Sequence, residues 1–279
     1  MVKVRRGGVV EATHRVHAVL VDPVGEIVRA AGNPELVCFL RSSAKPIQAL
    51  PLARARADLD DRDLAIASAS HLAEPMHIEA ARALLARAPA SEDELECGGG
   101  IAHNCSGKHA GMLALCRARE WPSAGYRLPE HPCQQAMLAV VEEACERAPL
   151  ATATDGCGVV SFAYPLDRAA HGFARFERLE GGGRIAAAMR QHPELIRGEG
   201  APDTRLMQLR PRWVAKGGAE GLFCAADGQG MGVALKVEDG AGRATGPALA
   251  AFLEGPEELA VTALRNSRGE LVGEIFANL

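Results

Sequence analysis

Aromatic residues are scarce in this chain, with two Trp, two Tyr and seven Phe among 279 residues. So few flat rings leave little surface on which nucleobases could stack. Lysine and arginine number 31 against 35 aspartates and glutamates, for a net charge of −4, so no broad basic stripe faces a phosphate backbone. Nucleic acid is not an expected partner. Long apolar runs are missing as well. Val16 to Val21 and Ala136 to Val141 fall far short of the ~20 residues that cross a bilayer, so no membrane is expected either. The opening Met1-Val2-Lys3-Val4-Arg5-Arg6-Gly7-Gly8 runs into Glu11, His14 and Arg15 without the apolar stretch of a secretory signal. A cytoplasmic location is the expectation. The eight cysteines include no Cys-x-x-Cys pair, which argues against a zinc ribbon or a thioredoxin-like site. It leaves reduced thiols, or metal ligands drawn from distant segments.

Hydrophobic residues make up 48% of the chain, enough to bury a full core, and residues 1–279 read as one unit. Val9 to Ala31 alternates polar and apolar residues around Asp22-Pro23-Val24-Gly25, which is turn chemistry between extended runs. Glu258 to Arg265 and Leu271 to Ala277 flank the turn-like Asn266-Ser267-Arg268-Gly269, and Leu222 to Val237 is a further extended block. Helical patterns span Lys45 to Ala57, Met76 to Ala88, Lys108 to Glu120, Cys133 to Ala148, Gly183 to His192 and Gly246 to Leu253. The expected architecture is α+β. One antiparallel sheet drawn from both termini (about 1–40 and 205–279) is closed around a mainly helical region (about 45–200).

Chemistry concentrates in a few short runs. Arg41-Ser42-Ser43-Ala44-Lys45-Pro46 sets a hydroxyl three residues ahead of an amine at a helix start. Helical spacing puts Ser42 and Lys45 on one face, where a neutral amine could take the serine proton during attack on a carbonyl. Free N–H groups of the helix start would face the oxyanion. Ser-x-x-Lys is only two fixed letters, and from this motif alone a capping serine followed by a first-turn proline is the favoured reading. Cys97 to Met112 packs glycines beside His103, Asn104, Cys105, Ser106 and Lys108 ahead of a helix. Ser106 is a candidate cap, and Lys108 near Cys105 would favour a thiolate. Asp155-Gly156-Cys157-Gly158 sets a second thiol between glycines. Two such thiols with a nitrogen donor and a water would suit zinc, although an incidental cysteine in a turn is the commoner case. Ser68 to His77 brings hydroxyls and imidazoles before a helix, with Ser70 or Glu74 as alternative caps. In Val214 to Gly221, Lys216 leaves an apolar run for glycines, where desolvation would lower its pKa.

Taken together, these runs resemble the asparaginase II family of the rhizobial inducible type, also called class 3 L-asparaginases. The resemblance rests on Arg41 to Pro46, Ser70-His71, His103 to Met112, Asp155 to Gly158, His192-Pro193-Glu194-Leu195 with Asp203-Thr204, Lys216 to Gly221, and Gly232 to Val237 with Asp239-Gly240. It implies a fold like that of serine β-lactamases, penicillin-binding proteins and glutaminases. The implied activity is that of an amidohydrolase releasing L-aspartate and ammonia from L-asparagine. It implies two Ser-Lys pairs, Ser42 with Lys45 and Ser70 with Lys216. The implied zinc ligands are Cys105, Lys108 and Cys157, with zinc positioning substrate rather than generating the nucleophile. Arg41, His71, Asn104, His109, Asp155 and Glu220 are the implied candidates for holding the small amino acid, and a homodimer is the implied assembly. Val160 stands where the family commonly has proline, and Ala73 where glycine is common. A β-lactamase-like or D-Ala-D-Ala peptidase-like serine acylase and a non-catalytic zinc-dependent amino-acid-binding protein remain competing readings.

Overall fold

The computed structural model describes residues 1–278. The strands are β1 (Val2–Arg6), β2 (Val9–His14), β3 (Val16–Val21), β4 (Ile27–Ala31), β5 (Val37–Phe39), β6 (Ala151–Thr154), β7 (Val160–Pro165), β8 (Val214–Gly217), β9 (Leu222–Ala226), β10 (Gly232–Val237), β11 (Val261–Arg265) and β12 (Leu271–Ala277). The helices are α1 (Lys45–Gln48), α2 (Leu50–Ala55), α3 (Asp61–Ala67), α4 (Pro75–Arg87), α5 (Ser106–Ala118), α6 (Pro132–Cys145), α7 (Leu166–Phe176), α8 (Gly182–Gln191), α9 (Pro193–Ile196), α10 (Pro202–Leu209) and α11 (Thr245–Leu253).

The fold is α+β, with antiparallel strands from both ends of the chain. Those strands divide between separate sheets. Val2 and Val4 alternate into the core from β1, which pairs with β12 so that Val2 faces Ala277. β11, β12, β1 and β2 form a four-stranded sheet in that order. After Arg15 the chain enters the five-stranded sheet, ordered β4-β3-β10-β9-β8. The opening hairpin is therefore β3–β4 alone, and β2 belongs with the termini. The central strands β9 and β10 are buried nearly throughout, so they lack the alternation of a half-solvated strand.

Helix α7 covers the five-stranded sheet, packing on β3, β9 and β10. Gly232 makes this approach possible, because a Cβ there would lie 2.1 Å from the Ala170 carbonyl oxygen. Inside the stretch read as mainly helical, β6 and β7 run antiparallel and join β5 in a third sheet. The Lys45 helix is broken into α1 and α2 at Ala49. Cys105 rather than Ser106 occupies the N-cap position of α5, and Ser106 is its first residue. Glycine again sets the spacing where α5 meets the end of α3. A Cβ at Gly107 would lie 2.3 Å from the Ile66 carbonyl oxygen. This contact brings the start of α5 beside Ser68 to His71, where the candidate chemistry lies.

Candidate active site

After β5 the Leu40 N–H donates to the Phe162 carbonyl, and the chain then reverses at Arg41, a non-glycine residue at φ 47°. Such a conformation is uncommon for an L side chain and stores strain. Ser42 follows, half-buried, in a 3₁₀ turn leading into α1. The Lys45 backbone N–H donates to the Ser42 carbonyl, but among the described residues no side-chain hydrogen bond joins Ser42 Oγ to Lys45 Nζ. Lys45 instead runs inward at 1% exposure. Its Nζ donates to the Ala69 carbonyl at 2.5 Å, to Ser70 Oγ at 2.8 Å and to Cys105 Sγ at 3.2 Å. These contacts use the three N–H donors of an ammonium.

Lys216, near the end of β8, is fully buried. Its Nζ donates to the Gly217 carbonyl at 2.6 Å and lies 3.5 Å from Asp203 Oδ1, which also accepts from the Gly217 N–H. Burial lowers the Lys216 pKa from 10.5 to about 8, against the opposing pull of Asp203, with the charges of Lys45 and Arg197 lowering it further. No hydrogen bond connects Lys216 to Ser70. The end of β8 meets the other serine segment instead, because a Cβ on Gly218 would lie 2.8 Å from Ser43 Oγ and 3.1 Å from the Leu40 carbonyl oxygen. The structure thus links Lys45 to Ser70 and brings the Lys216 strand against the Ser42–Ser43 turn.

The thiols converge on the same place. Cys105 and Cys157 share a hydrogen bond, and this bond lowers the Cys105 pKa most. Burial opposes the shift, and the charges of Lys45 and Lys108 assist it, leaving the thiol at about 4. Cys157 is pushed upward by the same hydrogen bond and by burial. Burial lowers the Lys108 pKa, with the Cys157 and Cys105 charges acting the other way. Among the described residues no three His, Cys, Asp or Glu side chains are grouped to hold a metal. A metal here would need Lys108 as its third protein donor, in its neutral form, which burial favours. Cys105 and Cys157 supply the thiolates that zinc prefers, whereas a lysine amine is an unusual donor beside its ordinary imidazole and carboxylate ligands.

The six candidate substrate residues have different surroundings. Arg41 Nε and Asp155 Oδ1 are 2.8 Å apart in a part-buried ion pair, so these two hold each other. Asn104 is exposed, accepts a backbone hydrogen bond from His71, and sets its Oδ1 3.3 Å from Cys105 Sγ. His71 is committed internally. Its Nδ1 accepts from the Ala73 N–H, so Nε2 carries the proton donated to Ser106 Oγ at 3.0 Å. Burial first, then nearby His77 and Lys45, depress its pKa to about 3, and the ring is neutral. His109 packs edge-on against Tyr126 with Nδ1 2.8 Å from the phenol oxygen, while its buried Nε2 has no partner among the described residues. Glu220 sits at φ 57° in the exposed β8–β9 turn, with its carboxylate against Gly240. The sequence reading gave no role to Asp203, which holds Lys216. Its position inside the matched Asp203-Thr204 pair was the available signal.

Two buried amines thus lie near serines: Lys45 hydrogen-bonds Ser70, and Lys216 stands on the strand whose following Gly218 packs on the Ser43 turn. The chain belongs to the L-asparaginase II family, whose model matches residues 2–276. That membership supports amidohydrolase chemistry. No curated protein matches the chain. Among solved structures it is similar to Mglu in its native form, with 12% identity, a TM-score of 0.47, and coverage of 84% of this chain and 61% of that one. It is also similar to Bacillus glutaminase, with 12% identity, a TM-score of 0.46, and coverage of 81% and 84% respectively. The chain therefore spans about three-fifths of the Mglu chain it matches. No helix among the described residues is long and apolar enough to cross a membrane.

Proposed function

We propose that the protein hydrolyses the side-chain amide of L-asparagine to L-aspartate and ammonia through a serine acyl-enzyme. The observation that carries this reading is the 2.8 Å contact between Lys45 Nζ and Ser70 Oγ, buried beside a second lysine whose pKa is near 8. An amine desolvated like that of Lys216 can exchange protons near neutral pH. Ser42 is assigned as the nucleophile because it is half-exposed, whereas Ser70 is 1% exposed. The packing of Gly218 on the Ser43 turn favours Lys216 as the base for Ser42.

Ser42 Oγ attacks the amide carbon as its proton passes to neutral Lys216. The positive charge of Lys45 stabilises the tetrahedral oxyanion. The C–N bond then breaks, ammonia leaves with the proton returned by Lys216, and the acyl group remains on Ser42. A water molecule, deprotonated by the same amine, attacks the ester and releases L-aspartate. Ser70 holds Lys45 in place and links it electrostatically to the reacting group. Zinc on Cys105, Lys108 and Cys157 would supply a fixed positive charge beside the Lys45–Ser70 contact, helping to orient a polar substrate. The homodimer belongs to the same proposal, and light scattering tests it.

The deciding experiment measures ammonia release from L-asparagine and L-glutamine by the purified protein beside Ser42→Ala and Ser70→Ala. Loss of turnover in Ser42→Ala and a fall of about 10²–10⁴-fold in Ser70→Ala are expected. Wild-type turnover in both variants would rule the mechanism out.

A further inference from the structure

Beside the end of β8 and the start of α10 opens a cleft of about 80 Å³, whose lining includes Arg197, Asp203, Gly217, Gly218, Phe223 and Thr245. One water occupies roughly 10–15 Å³ on this measure, so the cleft accommodates several waters or the polar head of a small molecule. Asp203 and Lys216 offset each other's charge at this wall through their direct contact. Arg197 has no such match. Although the residue is half-buried, its guanidinium makes no hydrogen bond or ion pair among the described residues. Its charge reaches Lys216, whose pKa it helps to lower.

The backbone fixes where this cation sits. The Ser70 N–H donates to the Ile196 carbonyl at 2.8 Å, and the Leu72 N–H donates to the Arg197 carbonyl at 3.0 Å. Two rungs therefore tie Ile196 and Arg197 to Ser70 and Leu72, and Arg197 is rooted beside one serine while it lines the cleft next to Lys216. A guanidinium offers parallel N–H donors that match a carboxylate in a bidentate pair. An unpaired arginine in a partly desolvated cleft is a costly arrangement unless a ligand anion completes it.

We infer that Arg197 binds the substrate's α-carboxylate, anchoring the amino-acid head in this cleft with its side-chain amide directed toward the serines. This inference rests on the amide-hydrolysis reading and adds the residue that selects a free carboxylate. Neutral amides without that group lack the anchor and are poor substrates.

The test uses the full chain as wild type, Arg197→Gln and Arg197→Lys, with thermal unfolding of each variant recorded. Ammonia release is followed from L-asparagine and from 3-aminopropanamide, which is asparagine without its carboxylate. Binding of L-aspartate is measured by calorimetry at pH 7. In Arg197→Gln, KM for L-asparagine should rise about 10- to 150-fold, the worth of a hydrogen bond to a charged group. Because Arg197 also helps to lower the Lys216 pKa, turnover is compared at an alkaline pH where Lys216 is neutral in every variant; there kcat should move little, and activity on 3-aminopropanamide should stay within about twofold. L-aspartate affinity should fall in step, and Arg197→Lys should recover part of it. Equal losses on both substrates, or an unchanged KM, would overturn the assignment. If the wild type releases no ammonia, the amidase reading fails and calorimetry alone decides Arg197. Weaker L-aspartate binding in Arg197→Gln then upholds the carboxylate site, and unchanged or undetectable wild-type binding removes it.

Discussion

Raising the pH from 7 to 9 should convert Lys216 from mostly charged to mostly neutral. With a pKa of about 8, roughly one-tenth of the amine is neutral at pH 7 and about nine-tenths at pH 9. If the neutral form is the base, kcat/KM for L-asparagine rises about tenfold across that interval, with its inflection near pH 8. Asp203 is the neighbour that holds this pKa up, so Asp203→Asn should move the inflection to lower pH. Lys216→Arg keeps the charge but cannot lose its proton in this range, and its alkaline rise should vanish. The same shift appears in stability. Native Lys216 lies about 2.5 units below its ordinary value of 10.5, a cost on the order of 3 kcal/mol. Below pH 8 both the native and unfolded states hold the proton and the full cost stands. Between 8 and 10.5 the native state gives up its proton first, so stability rises with pH, and above 10.5 the cost is gone. Urea denaturation of wild type beside Lys216→Met isolates this contribution. The difference should move in favour of the wild type by about 3 kcal/mol between pH 7 and 10.5. A pH–rate profile flat from 6 to 10, with Lys216→Arg as active as wild type, would refute the reasoning.

Gly107→Ala should drive a methyl group into the Ile66 carbonyl, 2.3 Å from the ideal Cβ. Overpacking of this kind lowers stability by about 1–3 kcal/mol, read as a lower urea midpoint, and turnover should fall because Ser70 follows the displaced end of α3. Ala73 occupies φ 58°. Ala73→Gly relieves about 1–2 kcal/mol of left-handed strain against roughly 0.5–1 kcal/mol of added chain entropy, so thermal unfolding should show a small gain, and a clear loss would contradict it. Zinc-loaded protein should retain one equivalent per chain after gel filtration, and Cys105→Ser and Cys157→Ser should each lose it. Full retention in the double variant would place the metal elsewhere.

The residues of the candidate site could be named because they sit in short runs with unusual chemistry. Ser42, Lys45, Ser70, Cys105, Lys108, Cys157 and Lys216 were all named from the sequence, and the helices around α4, α5, α6, α8 and α11 follow local periodicity. Long-range pairing was not legible. Spacing of three residues suggested that Ser42 and Lys45 face each other, yet a buried lysine side chain reaches into the core and meets Ser70 from another segment. Likewise Arg41 and Asp155 read as separate substrate contacts, and their ion pair links segments 114 residues apart. Sheet membership has the same character. Nothing local distinguishes β2, which joins the termini, from β3, which joins β10. Helix α7 was not read from the sequence, although Leu166, Phe173 and Phe176 give it a buried apolar face; Ala170 and Ala174 on that face allow its close approach to Gly232.

The pairing of β1 with β12 has a consequence for biogenesis. Lys3 and Phe276 stand opposite each other in register, so β1 has no partner on that edge until β12 has been synthesised. During synthesis β1 and β2 can form only a marginal hairpin. Loss of β12 would leave β1 with an open strand edge available for aggregation.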